Sequence, residues 1–174
     1  NNLEDNPGFK LSLSLVNRIL MSIIYGDLLM KVLYRVRPYE KIEGSANELY
    51  KKWVKICKTS LKKADRKTFS LNIKNIVNEF DNLDIFETKK ARVGIVGEIL
   101  IKFHPVGNND IVSVLENEGV EVVVPDLLDF ILYCASDSNF IYKHLDGSIL
   151  SKLLGDSLIM FIDFYRKVYI DSLK

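Results

Sequence analysis

The fold is decided by the stretch KKARVGIVGEILIKFHPVGNNDIVSVLENEGVEVVVPDLLDFILY, which spans residues 89–133. Two short runs within it are rich in β-branched residues: residues 92–97, which end in glycine, and residues 120–124, which Pro125 closes. Runs of this length and composition are typical of buried parallel strands. We therefore expect both runs to be strands of one parallel sheet.

One helix is predicted between the two strands. Asn108 or Asn109 can cap its first free backbone N–H groups. Ile111 and Leu115 fall on one apolar stripe, and Gly119 supplies the left-handed residue that often follows a helix. The order strand, helix, strand predicts a βαβ unit, and the loop that leads into this helix is long for such a connection.

Helical periods dominate the sequence before this unit. Apolar residues recur at helical spacing over residues 11–36 and again over residues 70–83. A second helix is predicted over residues 45–64, because Ser45 and Glu48 have the spacing of a capping box. Three helices are therefore expected ahead of the first strand.

The sequence after the unit is also helical. A short helix is predicted from Asp126 to about Cys134, followed by a turn at residues 135–138. From Ser148 onward the apolar spacing predicts a long amphipathic helix, interrupted at most by Gly155.

These elements predict an α/β fold in one compact unit. A helical portion, residues 1–88, precedes a Rossmann-like α/β portion, residues 89–174, which has parallel strands and a long C-terminal helix. Two parallel strands alone would leave unpaired edges, so we expect further strands, the parent protein or a second copy to cover them.

Composition and charge set the broad class. At 174 residues with 48% hydrophobic content, the chain can bury one sizeable core. Residues 1–90 hold 17 Lys and Arg against 11 Asp and Glu, whereas residues 91–174 hold 7 against 12. The halves carry +6 and −5, so we expect them to attract each other or to face different partners.

Targeting signals are sparse. The two cysteines have no metal-binding spacing, and the absence of a glycosylation sequon also fits a reducing cytoplasm. Residues 19–26, the most apolar run near the N-terminus, fall far short of the roughly 20 residues of a membrane span, so we expect no membrane partner. Because the chain begins without methionine, we expect it to be part of a longer protein.

The second predicted helix is strongly basic. One reading is a solvated face, and the other is a landing surface for an acidic partner or a phosphate-rich ligand. We expect no nucleic-acid partner. The cations of this segment are Lys51, Lys52, Lys55, Lys58, Lys62, Lys63, Arg66 and Lys67.

A ligand is expected beyond the carboxyl ends of the two strands, where open parallel sheets bind their ligands. Free N–H groups at the helix N-terminus near Asn109 suit an anion, and Lys102 can add a phosphate contact. The candidate ligand-binding residues are Glu98, Lys102, His104, Asn108, Asn109 and Asp126.

Structural roles compete with ligand binding at these positions. Glu98 either contacts a ligand or ties down its loop through backbone N–H groups, and His104 can be a hydrogen-bonded loop histidine. The helix dipole can account for at least one of Asp126 and Asp129, which lie near the N-terminus of the helix that follows. Neither a dinucleotide fingerprint nor a P-loop is present, so a nicotinamide or ATP site has little support, and catalytic residues stay unassigned.

The motifs in these segments resemble a known family. VGIVGEILIKFHP, NNDIV and EGVEVVVPDLLDFILYC, together with RVRPYE at residues 35–40, are similar to the acyl-CoA dehydratase activase-associated domain of the large fusion proteins related to 2-hydroxyacyl-CoA dehydratases and their activators. The resemblance covers roughly residues 10–170. It implies a dehydratase-like module, not the ATPase portion.

The resemblance also implies cofactors and partners. In such systems an ATP-hydrolysing activator with an iron–sulfur cluster passes one electron to a dehydratase that removes water from a 2-hydroxyacyl-CoA. The implied partners are therefore the activator ATPase domain and an acyl-CoA. Cys134 is the cysteine at a family-like position, and it could supply one thiolate to a cluster in the full-length protein whose other ligands come from outside this chain. Because a cluster needs about four ligands, we expect no cluster and no catalysis in this chain alone. A non-catalytic interaction domain that keeps the fold is the alternative.

Overall fold

The structure is a computed structural model that describes residues 12–174. It is mostly helical with one small parallel sheet, which confirms an α/β fold. The predicted helix start at residue 11 lies outside the described residues. The elements are α1 (Leu13–Val36), a 3-10 turn (Arg37–Tyr39), α2 (Ser45–Ser60), α3 (Arg66–Asp81), β1 (Arg92–Gly94), α4 (Ile99–Phe103), α5 (Ile111–Asn117), β2 (Glu121–Val123), α6 (Leu127–His144) and α7 (Ile149–Ser172).

Helix α1 is the centre of the molecule. It contacts α2, α3, β2, α6 and α7, and ten of its side chains are buried. It gives way to the 3-10 turn at Arg37, because Pro38 cannot continue the hydrogen-bond ladder. By length and composition alone, Leu13–Tyr39 could cross a membrane, with a mean hydropathy of 1.4. A core helix packed on several sides has the same composition, and α1 is packed in this way.

Helices α2 and α3 complete a three-helix layer on α1. The capping box predicted at the start of α2 is wrong, because Gly44 occupies the cap position and the Glu40 carboxylate accepts from the Gly44 and Ala46 N–H groups. Helix α3 begins earlier than predicted, since Asp65 accepts from the Thr68 N–H at 2.8 Å and caps it.

The sheet is smaller than predicted. Arg92, Val93 and Gly94 pair with Glu121, Val122 and Val123 in parallel register. Strand β2 is largely buried, but β1 is largely exposed, so the prediction of two buried strands is wrong for β1. Within the described residues no further strand joins the sheet, and each strand keeps one unpaired edge.

The connection between the strands holds two helices instead of one. The segment predicted as a long loop folds into α4, because Glu98 caps it through the Leu100 and Ile101 N–H groups. Helix α5 follows with Asp110 in the cap position, although the Asn108 side chain accepts from the Ile111 N–H at 3.3 Å.

Helices α6 and α7 form a long hairpin. The turn predicted at residues 135–138 is wrong, because α6 continues through it to His144. Ala135 lies at the close contact with α7: a Cβ on Gly155 would come within 2.7 Å of the Ala135 carbonyl oxygen. Glycine at position 155 therefore allows the two helices to approach without breaking α7, which begins as predicted after Ser148.

Most of the core lies in the N-terminal helices. Of the 19 buried apolar side chains in the main cluster, 16 come from α1, α2 and α3, and the others are Leu128, Ile162 and Tyr169. The base of the hairpin is thereby attached to the helical layer, while the far part of the hairpin extends from it.

Candidate functional site

The residues predicted to bind a ligand after β1 mainly stabilise their own loop. Glu98 is the cap of α4, and the His104 Nδ1 atom accepts from the Gly107 N–H at 3.1 Å. The Asn108 amide donates to the Ile101 carbonyl at 3.0 Å. Asn109 is exposed in a left-handed conformation, with φ of 55°. These contacts give Glu98, His104 and Asn108 the structural roles that competed with ligand binding.

A small crevice does bring part of the predicted site together. Lys102, Asn108 and Asp110 line it on one side, and Val124, just after β2, lines it on the other. The loop after β1 and the end of β2 therefore lie at the same end of the sheet, as parallel strands require. The crevice measures about 60 Å³. This volume is small beside the roughly 300–1,000 Å³ of typical ligand pockets.

Asp126 belongs to a buried polar cluster that the sequence did not predict. Its Oδ2 atom accepts from Lys31 Nζ at 2.7 Å and from the Tyr169 hydroxyl at 2.6 Å. Its Oδ1 atom has no partner within residues 12–174. The same cluster contains Asp27, whose carboxylate accepts from the Leu127 and Leu128 N–H groups at 3.0 and 2.9 Å. Asp27 is thus the acceptor that caps α6.

Burial controls the acidity of this cluster. Desolvation raises the pKa of Asp27 to about 6, and the two backbone N–H groups of α6 only partly offset it. Burial and the neighbouring Asp126 carboxylate also raise the pKa of Tyr169. Asp27 and Asp126 are 4% and 3% exposed, so the cluster ties α1, α6 and α7 together below the surface.

The RVRPYE motif ties the helical layer to the sheet. The Arg37 guanidinium donates through Nε and Nη2 to the two Glu116 oxygens, at 2.8 and 3.0 Å. The Tyr39 hydroxyl donates to Glu121 on β2 at 2.9 Å. With the cap that Glu40 provides to α2, these bonds assign structural roles to three residues of the motif.

The two cysteines do not form a cluster site. Cys57 is buried in the helical core, and burial raises the pKa of its thiol to about 12. Cys134 is exposed on α6. Within residues 12–174 no three His, Cys, Asp or Glu side chains lie close enough to hold a metal ion. Within residues 12–174, Cys134 is thus the one exposed thiol, and the other ligands of a cluster would have to come from outside this chain.

The hairpin has an unusually apolar exterior. We define the hairpin surface as the exposed large apolar side chains between residues 130 and 164 of α6, α7 and their connection. Met160 is 72% exposed and Leu154 is 64% exposed. The hairpin surface consists of Phe130, Tyr133, Phe140, Ile141, Tyr142, Leu145, Ile149, Leu150, Leu153, Leu154, Leu158, Met160, Phe161 and Phe164.

Exposed apolar side chains in this number are typical of a surface that binds a partner, because in monomeric proteins such residues are usually scattered singly. The sequence signal for it was present in α7, where apolar residues lie on more than one side of the helical wheel. A comparison of the chain with protein-family models, with curated proteins and with solved structures finds no match.

Proposed function

We propose that this chain is a dehydratase-like, Rossmann-like module of a 2-hydroxyacyl-CoA dehydratase activase fusion protein. Its role in this proposal is to provide a docking face for the ATP-driven iron–sulfur reductant. The motif resemblance suggests the system, and the hairpin surface supports the docking role. Fourteen exposed large apolar side chains in one hairpin are the observation that carries it.

Docking has more support than an acyl-CoA cleft. The crevice at the strand ends measures about 60 Å³, and Glu98, His104 and Asn108 are engaged in their own loop. By contrast, the hairpin surface offers leucine, methionine and aromatic side chains, and aromatic residues and methionine are enriched at protein interfaces. A non-catalytic interaction domain would use the same surface for another partner.

The test is the affinity of the chain for the activator ATPase, measured by biolayer interferometry. The double variant Leu150→Glu/Leu154→Glu places two charges on the hairpin surface. We expect it to weaken binding by about tenfold or more, because interface positions that matter contribute about 1–2 kcal/mol or more each.

The control is Leu13→Glu/Leu71→Glu, which makes the same change at two exposed leucines of the helical layer. It should leave the affinity unchanged. Equal affinity of the hairpin variant and the unmodified chain would contradict the docking role. Saturable thermal stabilisation of the chain by an acyl-CoA would instead favour a cleft.

A further inference from the structure

A groove beside α1 adjoins the strand-end crevice, with which it shares Tyr34 and Val124, and it contains no residue of the hairpin surface. Three cavities of about 460, 350 and 300 Å³ are each bordered by Arg35, and we call them together the Arg35 groove. The first two share Val36 and Phe80, and the first and third share Arg92. Each volume falls within the range of typical small-molecule pockets.

Arg35 is the available cation of this groove. Its side chain is exposed, and within residues 12–174 its guanidinium makes neither a hydrogen bond nor an ion pair. The three other cations that border the groove are already paired: Lys31 with Asp126 at 2.7 Å, Arg92 with Glu121 at 2.9 Å and Lys174 with Asp171 at 3.6 Å. A guanidinium has five N–H donors in a planar fork that matches a carboxylate, so Arg35 can bind one oxyanion through two parallel bonds.

The remaining walls restrict what that oxyanion can be. Asp81 and Glu87 border the largest of the three cavities, where their repulsion of an anion increases with each negative charge that the anion carries. Ile85 and Phe86, which are 40% and 54% exposed, provide the apolar wall of the same cavity. These features suit a ligand with one negative charge and an apolar body more than a polyphosphate.

We propose that the Arg35 groove binds an amphipathic monocarboxylate. The carboxylate pairs with the Arg35 guanidinium, and the apolar chain lies along Ile85 and Phe86. The preference for one charge comes from the single unpaired cation, and the preference for an alkyl chain comes from the apolar walls. This inference is independent of the proposed docking role, because none of its residues belongs to the hairpin surface.

The probe is hexanoate, titrated into the ¹⁵N-labelled 174-residue chain and followed by amide chemical shifts. We expect saturable shifts in the amides of residues 31–36 and in those near Phe86. Arg35→Gln should weaken the hexanoate affinity by about tenfold or more, because a hydrogen bond between two charged groups is stronger than one between neutral groups. Arg35 is exposed, so the variant should keep the shift dispersion of the unmodified chain.

Three controls make the result specific. Arg18→Gln removes an exposed arginine from the same helix, about 25 Å along its axis from Arg35, and should leave hexanoate binding unchanged. Hexanol lacks the charge and inorganic phosphate lacks the alkyl chain, so both should bind much more weakly. The proposal is overturned if hexanoate gives no saturable shifts, if Arg35→Gln binds it as well as the unmodified chain does, or if phosphate competes as effectively as hexanoate.

Discussion

The helical layer of α1, α2 and α3 and the portion from β1 to α7 differ in how far they bury their apolar side chains. Sixteen of the 19 side chains in the main core come from the helical layer. Of the 28 exposed large apolar side chains, 21 lie in residues 92–174 and only seven in residues 12–91. The two regions therefore contribute differently to the molecule: the first supplies most of the core, and the second presents most of the apolar surface that a partner could cover.

The largest expected effect on stability comes from truncating a buried side chain in the helical layer, compared with truncating an exposed one in the hairpin. Ile76→Ala in α3 removes a side chain that is 0% exposed, and it should lower the free energy of unfolding by about 2–5 kcal/mol. Leu154→Ala removes one that is 64% exposed, and it should change that free energy by less than about 0.5 kcal/mol. Urea denaturation of both variants measures the difference. Similar losses would mean that the hairpin is buried in solution.

A pH dependence is expected next, from Asp27 at the junction of the two regions. Burial raises the pKa of this carboxyl from 3.8 to about 6, so the folded state binds its proton more tightly than the unfolded state. The contribution of Asp27 to stability is therefore complete below pH 3.8 and is lost as the pH rises through about 6.

Asp27→Asn isolates this contribution, because it cannot titrate. The unfolding free energy of the unmodified chain minus that of the variant should fall by up to roughly 3 kcal/mol as the pH rises from below about 4 to 7. Urea denaturation across this range measures it. A difference that does not change with pH would show that Asp27 is not desolvated in the folded chain.

A smaller loss of stability is expected when one hydrogen bond of the buried polar cluster is removed. Tyr169→Phe deletes the hydroxyl that donates to Asp126, and that carboxylate already has one oxygen without a partner. The variant should lose about 1–3 kcal/mol of stability, because the buried acceptor loses a bond that water cannot replace. Tyr142→Phe, which removes an exposed hydroxyl from the hairpin, is the matched control and should be near neutral. Equal behaviour of the two variants would argue against a role of the buried cluster in holding α7.

The smallest effect on stability is expected on the basic face of α2. Lys51, Lys55 and Lys58 are exposed, and within residues 12–174 they form no ion pair, whereas Lys52 pairs with Glu79 at 2.6 Å. Reversing Lys51 and Lys55 to Glu should change the unfolding free energy by less than about 0.5 kcal/mol.

Binding is the more sensitive measurement for this face. If it recognises an acidic partner, the double reversal should lower the salt concentration at which the chain elutes from immobilised poly-glutamate. Lys143→Glu/Lys167→Glu changes the net charge by the same amount at exposed positions of the hairpin and serves as the control. Identical elution of both variants would indicate that the α2 lysines form a solvated surface and not a binding face.

Periodicity predicted much of the helical layer and the parallel pairing of the strands, because both are encoded locally. The apolar stripe of Ile73, Ile76 and Phe80 is buried as expected, and β1 and β2 pair in parallel. Helix boundaries were less predictable, because the caps come from residues outside the expected motif. Glu40 caps α2 from five residues upstream of Ser45, and Glu98 turns an expected loop into α4.

The buried polar cluster could not be predicted from local pattern, since its hydrogen-bonded members are 43 to 101 residues apart in sequence. Asp27 caps α6 from α1, and Asp126 meets Tyr169 of α7. One signal was visible: Asp27 interrupts the apolar stripe of α1, and a carboxylate at such a position needs a buried partner. Helix α6 continues through residues 135–138, where it packs closely against Gly155 of α7. This contact joins two different helices, so a local sequence pattern cannot show it.

Amide hydrogen–deuterium exchange, resolved by mass spectrometry, tests whether a partner binds the hairpin surface. The chain is measured with and without the activator ATPase. We expect added protection to concentrate in residues 130–164, while the amides of α2 and α3 exchange as they do in the free chain. Protection confined to the basic residues 51–67, or complex formation with no added protection in the hairpin, would contradict this expectation.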